Sequence, residues 1–129
     1  MICSCNVLEV IDRHLMTVEY AEKIVIGSAI CFDECWQKAR PLVTDVLFSD
    51  ERNKFIWNLL KEMKTEGREV DVISLWEFAL EKYPQIENVS ELAYYICDLT
   101  LVVMYKGYDK IISELMKFYV MSNGVYGRQ

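Results

Sequence analysis

Five cysteines, one histidine and a few carboxylate pairs are the side chains of this sequence whose types could do chemistry. Cys3 and Cys5 stand two apart, and Cys31 and Cys35 stand four apart. Four thiolates can close a tetrahedral zinc site. Cys-x-Cys combined with Cys-x-x-x-Cys is not a familiar zinc pairing, however, and Cys31 ends the most apolar segment of the chain, where a free thiol is at home. Buried thiols are the expectation, with a small cysteine-based metal protein as the alternative. His14 is the only histidine, so any imidazole-activated nucleophile would have to use it. Its neighbours Arg13 and Leu15 make it an ordinary boundary residue. Glu62/Glu66 and Glu77/Glu81 pair at helical spacing. Two acids divide acid and base roles only when their environments differ. These share faces with Lys61, Lys64 and Lys82 and read as solvated helix surface. None of Gly27, Gly67, Gly107, Gly124 and Gly127 lies in a GxxxxGK[ST] phosphate loop, and neither GxSxG nor HExxH occurs. The expectation is a non-enzyme with no catalytic, cofactor-binding or metal-ligating residues and no cofactor.

The aromatic residues say more. Tyr94, Tyr95, Tyr105, Tyr108, Phe118 and Tyr119 crowd the last third of the chain, and Trp57 sits between the apolar Ile56 and Leu60, turned toward the flank of its helix. A core built from large side chains accounts for many of them. Tyr and Trp are also enriched where proteins meet. From Tyr108 to Met121 the apolar stripe is wider than one neighbouring helix needs. Surplus apolar surface on a terminal helix predicts a partner. Trp57, Tyr94, Tyr95, Tyr108, Ile112, Met116 and Tyr119 are the expected interaction surface, with charge at Ile112 or Tyr119 expected to dissociate it.

These residues must be positioned by helices. Residues 1–16 read as a weak helix or ordered arm. Thr17 can cap a helix to Cys31, with Glu19 and Glu22 suiting the positive end of its dipole. Its centre, Ile24 to Ile30, is apolar all round and predicts a central helix. Asp33 is the expected cap of a short helix, Glu34–Arg40, closed by Pro41. Ser49 is the expected cap of Ser49–Lys64, with Phe55, Ile56, Leu59, Leu60 and Met63 inward and Asn53 on the polar side; Gly67 follows its end. Asp71 caps Val72–Tyr83, Ser90 caps the next helix, and Tyr108–Ser122 is the last, before a tail over 123–129. Short connections and no confident strand give an all-α fold, a compact bundle of about six helices in one domain over 17–122.

Composition narrows the function further. With 129 residues the length fits one domain, and 53% hydrophobic with 26% charged residues is globular composition. Fourteen basic against twenty acidic residues, a net charge of −6, opposes nucleic-acid binding, which needs clustered positive charge. A helical DNA-binding regulator is therefore a weaker alternative, and no direct nucleic-acid contact is expected. No apolar run reaches the ~18 residues of a membrane span, so no membrane partner is expected. Met1–Asp12 lacks the basic start of a secretory signal, and the odd cysteine count fits reduced thiols, so the expected location is the cytoplasm.

The ordered series of motifs resembles the N-terminal domain of the DnaB-type replicative hexameric DNA helicases. Tyr20-Ala21-Glu22-Lys23-Ile24-Val25-Ile26-Gly27-Ser28-Ala29-Ile30 matches the opening helix of that family. Phe48-Ser49-Asp50 with Ile56-Trp57, Gly67-Arg68-Glu69-Val70-Asp71 with Leu75, Ala93-Tyr94, and Tyr108 with Ile111, Ile112 and Glu114 match the motifs that follow. The likeness runs from about Val18 to Val120. Asn53 stands where the family commonly has His, Ser90 and Glu91 replace paired glycines, and only the first helix of the family's hairpin is present before Gln129. The resemblance implies a module that builds the collar of the helicase ring and contacts primase, here without the ATPase domain. Self-association as a dimer or larger, and a replicative helicase or primase as partner, are the expectations. The chain is a helicase fragment or a free-standing relative, and its start at Met1 favours the latter.

Overall fold

A computed structural model describes residues 17–123, and among them every regular element is helical. Six helices follow in order: α1 (Val18–Cys31), α2 (Asp33–Ala39), α3 (Glu51–Thr65), α4 (Val72–Lys82), α5 (Val89–Leu99) and α6 (Tyr108–Asn123), with a short 3-10 turn at Asp45–Leu47. The expected all-α bundle is what the chain forms. The arm expected over 1–16, with Cys3, Cys5 and His14, and the tail after 123 lie outside the described residues.

α1 is the central helix. Thr17 Oγ1 accepts from the Tyr20 N–H at 3.1 Å and starts it. Every residue from Ile24 to Ile30 is buried, and α2, α3, α5 and α6 pack around it. Gly27 is where α5 comes closest: a Cβ there would lie 1.9 Å from the Leu99 carbonyl oxygen. Any side chain would push the two backbones apart, so glycine is required by proximity. Two hydrogen bonds clamp α6 and its lead-in onto α1. Tyr108 Oη donates to the Val25 carbonyl at 2.7 Å, and the Met104 N–H donates to Ser28 Oγ at 2.8 Å.

The helix starts differ from the sequence reading in three places. α2 is preceded by Phe32, which supplies no side-chain cap, and Asp33 lies in the first turn. There it is ion-paired with Lys64 Nζ at 2.9 Å, which holds its carboxyl below the usual range. α3 is capped by Asp50, one residue later than expected, because Ser49 is drawn into a tertiary contact with Glu22. α5 starts after Asn88, whose left-handed backbone (φ 57°) turns the chain into the helix, and Ser90 falls inside the first turn. Asn tolerates this conformation better than most residues. Elsewhere local chemistry acts as expected. Asp71 and Ser74 form a reciprocal capping box on α4, with bonds of 2.7 and 2.9 Å. Gly67 (φ 75°) closes α3, letting the Arg68 N–H reach the Met63 carbonyl at 2.9 Å.

Candidate protein-interaction site

The most constrained polar group is Glu22, fully buried in the second turn of α1. Its carboxylate takes bonds from the Ser49 N–H and Ser49 Oγ, both at 2.7 Å, from Asn53 Nδ2 at 2.7 Å and, longer, from the Asp50 N–H at 3.4 Å. It thus acts on the start of α3 rather than on its own helix, supplying negative charge to the positive end of that dipole. Asn53, expected on the polar face, is fully buried instead. Its amide oxygen accepts from Tyr95 Oη, so the chain α1–α3–α5 is closed by Glu22, Asn53 and Tyr95. Asn53 therefore sits on a junction between three helices. The Arg52 guanidinium lies 4.0 Å from the Tyr95 ring centroid and pairs with Asp50 at 2.9 Å. That pairing holds the Asp50 carboxyl below its usual range. Burial, aided by the charge of Asp50, pushes the Tyr95 hydroxyl up to about 12.

Around this anchor the seven residues expected to form an interaction surface divide. Trp57 is not on a flank: it is 1% exposed, with Trp36 and Phe48 rings at 5.3 and 5.5 Å. Tyr108 and Ile112 face inward from α6, and Tyr95 is spent on the polar junction. Burial takes Trp57, Tyr108 and Ile112 out of any surface of the folded chain, while Tyr95 keeps an edge on a recess beside α5. Tyr94 is 72% exposed, Met116 is exposed, and Tyr119 is half-buried beside Val18, Lys54 and Phe118.

α6 has two apolar faces. Tyr108, Ile111, Ile112 and Leu115 close the core. Met116, Val120 and Met121 point outward, 38, 50 and 60% exposed, and with Ser113 and Lys117 they line a shallow recess. Met121 belongs to the apolar stripe read from the sequence but not to the seven expected surface residues, and Val120 was missed, although it stands four residues from Met116 on the same face. A second recess, of about 430 Å³, lies between the start of α3, the connection after α4 and α5. Its lining includes Phe55, Ile86 and Leu92, with Glu87 and Glu91 at its edge.

No group of three His, Cys, Asp or Glu side chains is arranged to hold a metal among the described residues. Cys31 is exposed and Cys35 buried, and burial pushes the Cys35 thiol up to about 11, away from the thiolate a metal would need. No described helix is long and apolar enough to cross a membrane.

An all-helical bundle with this order of helices, wrapped round one apolar helix, is what the motif series implied. The family model for the DnaB-like helicase N terminal domain matches residues 15–114. The chain belongs to that family. A comparison with curated proteins gives no match. In this DnaB-like domain the match takes in the Glu22–Asn53–Tyr95 junction and all the helices up to the middle of α6. The outward residues Met116, Val120 and Met121 lie beyond it.

Proposed function

We propose that this chain is a non-catalytic assembly module of DNA replication in the cytoplasm, which self-associates and meets a replicative helicase or primase in the manner of a helicase collar. The observation that carries this reading is the second apolar face of α6, where Met116, Val120 and Met121 stand in solvent while the opposite face is already committed to the core. Apolar surface of this kind on a helix at the edge of a bundle is the material of protein interfaces. Family membership and the lack of a phosphate loop in these 129 residues support a structural rather than a motor role.

The test is light scattering of the purified chain at high micromolar concentration. A dimer or larger species is expected, and Met116→Glu with Val120→Glu should leave a folded monomer by circular dichroism. A wild-type chain that stays monomeric removes the self-association. Ile112, 2% exposed, is the wrong place for this test, since a charge there attacks the core. Titration with a purified replicative helicase and, separately, a primase tests the partner: saturable binding to either is expected.

A further inference from the structure

The recess beside α5 shares no lining residue with the outer face of α6, and its chemistry is different. Its floor is apolar, built from Phe55, Ile86 and Leu92, and Phe55 is fixed from behind by the Tyr83 ring at 5.4 Å. Its volume of about 430 Å³ is within the range of sites that enclose small ligands or side-chain anchors. The charge at its mouth is negative. Glu87 and Glu91 flank Asn88 there, both exposed, and neither has an ion-pair partner among the described residues. The cationic side chain in the lining, Arg52, is already committed to Asp50 at 2.9 Å and to the face of Tyr95 at 4.0 Å. Glu51, also at the mouth, has Lys54 at 3.3 Å. The charge left for a visitor is therefore that of two carboxylates, set above an apolar floor.

We infer that this recess docks a basic amphipathic segment of a partner protein. An apolar side chain of the segment enters against Phe55, Ile86 and Leu92, and Lys or Arg residues on either side of it meet Glu87 and Glu91. Complementary charge sets the orientation and speeds the encounter, while the apolar anchor slows release. An acidic segment would place its charge against two unpaired carboxylates and be rejected. The site needs no self-association, so it stands or falls apart from the role of α6.

The probe is a fluorescein-labelled 15-residue amphipathic peptide with leucine anchors and flanking Lys and Arg, set against a twin carrying Glu at each basic position. Fluorescence anisotropy is followed at low and at physiological salt. Amide shifts of Phe55, Ile86 and Leu92 are followed by NMR. Saturable binding of the basic peptide alone is expected, with shifts at those three residues. Affinity should drop at least about tenfold in the Glu87→Lys, Glu91→Lys double variant, and should weaken as salt screens the carboxylates. Both positions are exposed, so circular dichroism should show the variant folded, and Phe55→Ala supplies a second variant acting through the floor. The proposal fails if neither peptide binds, if the twins bind alike, or if the double variant binds as the parent does. It also fails if the double variant changes the oligomeric state, which would assign the recess to a second copy of this chain. Met116→Glu with Val120→Glu should leave peptide binding unchanged, so failure here and failure of the collar reading are separable.

Discussion

α1 and α6 lie against each other, joined by the Tyr108–Val25 hydrogen bond, yet α1 is covered on all sides from Ile24 to Ile30 and α6 on one side only. Both are rich in apolar residues. The difference is where the polar residues stand. α1 has none at its centre except Ser28, whose hydroxyl is occupied by the Met104 N–H. α6 carries Asp109, Lys110, Glu114 and Lys117 along its length, so its apolar residues split into an inner row and an outer pair of turns. The first pattern makes a scaffold and the second leaves a surface. The proposed assembly role rests on the second kind of helix.

The contrast can be broken from the scaffold side. Glu22→Ala should have the largest effect, a loss on the order of 3–5 kcal/mol in urea denaturation, because Ser49 and Asn53 lose a buried charged acceptor. Gly27→Ala follows, at about 3 kcal/mol, the upper range for overpacking, since its Cβ would fall 1.9 Å from the Leu99 carbonyl oxygen. If Gly27→Ala is neutral by the same measurement, α1 and α5 are not held at this distance.

Alkaline pH should act more gradually. Burial raises Cys35 from 9.0 to about 11 and Tyr95 from 10.0 to about 12, and pushes Tyr108 higher still. Each group holds its proton more tightly folded than unfolded. Their contribution is therefore intact below pH 9 and is lost as pH rises from about 9 through 12. Denaturation midpoints measured across that range should fall, and Tyr108→Phe should flatten the upper part of the fall at a cost of about 1 kcal/mol at neutral pH. A flat midpoint from pH 9 to 12 would contradict the burial of these groups. The smallest effect on stability belongs to α6: Met116→Glu with Val120→Glu should shift unfolding by no more than ~0.5 kcal/mol. A large destabilisation there would mean that the outer face is part of the core.

The fold was largely legible because long helices announce themselves by period and caps. Thr17, Asp71 and Gly67 end or begin helices where their chemistry says they should. What sequence periodicity lacks is absolute direction. It groups Tyr108, Ile112 and Met116 on one broad stripe, but only neighbouring helices decide that Tyr108 and Ile112 turn inward and Met116 outward. The same gap explains Trp57, which is centred in the core by Trp36 and Phe48 from other segments. Polar residues mislead in a related way. Glu22 and Asn53 look like surface residues because a single strand of sequence does not show that each is the other's partner, 31 positions apart. Ser49 and Ser90 are good caps by type, but one is claimed by Glu22 and the other is bypassed by the left-handed Asn88.

The clamp of α6 on α1 also sets a timetable for the growing polypeptide. The last of the residues that shield Ile24–Ile30 follow 76 to 83 positions after their hydrogen-bond partners, at Met104 and Tyr108. At synthesis speeds of about 5–20 residues per second, the greasiest helix of the molecule waits roughly 4–17 s for the last part of its cover. During that interval one side of α1 is without its partner, and the step that completes the bundle is the arrival of its last helix.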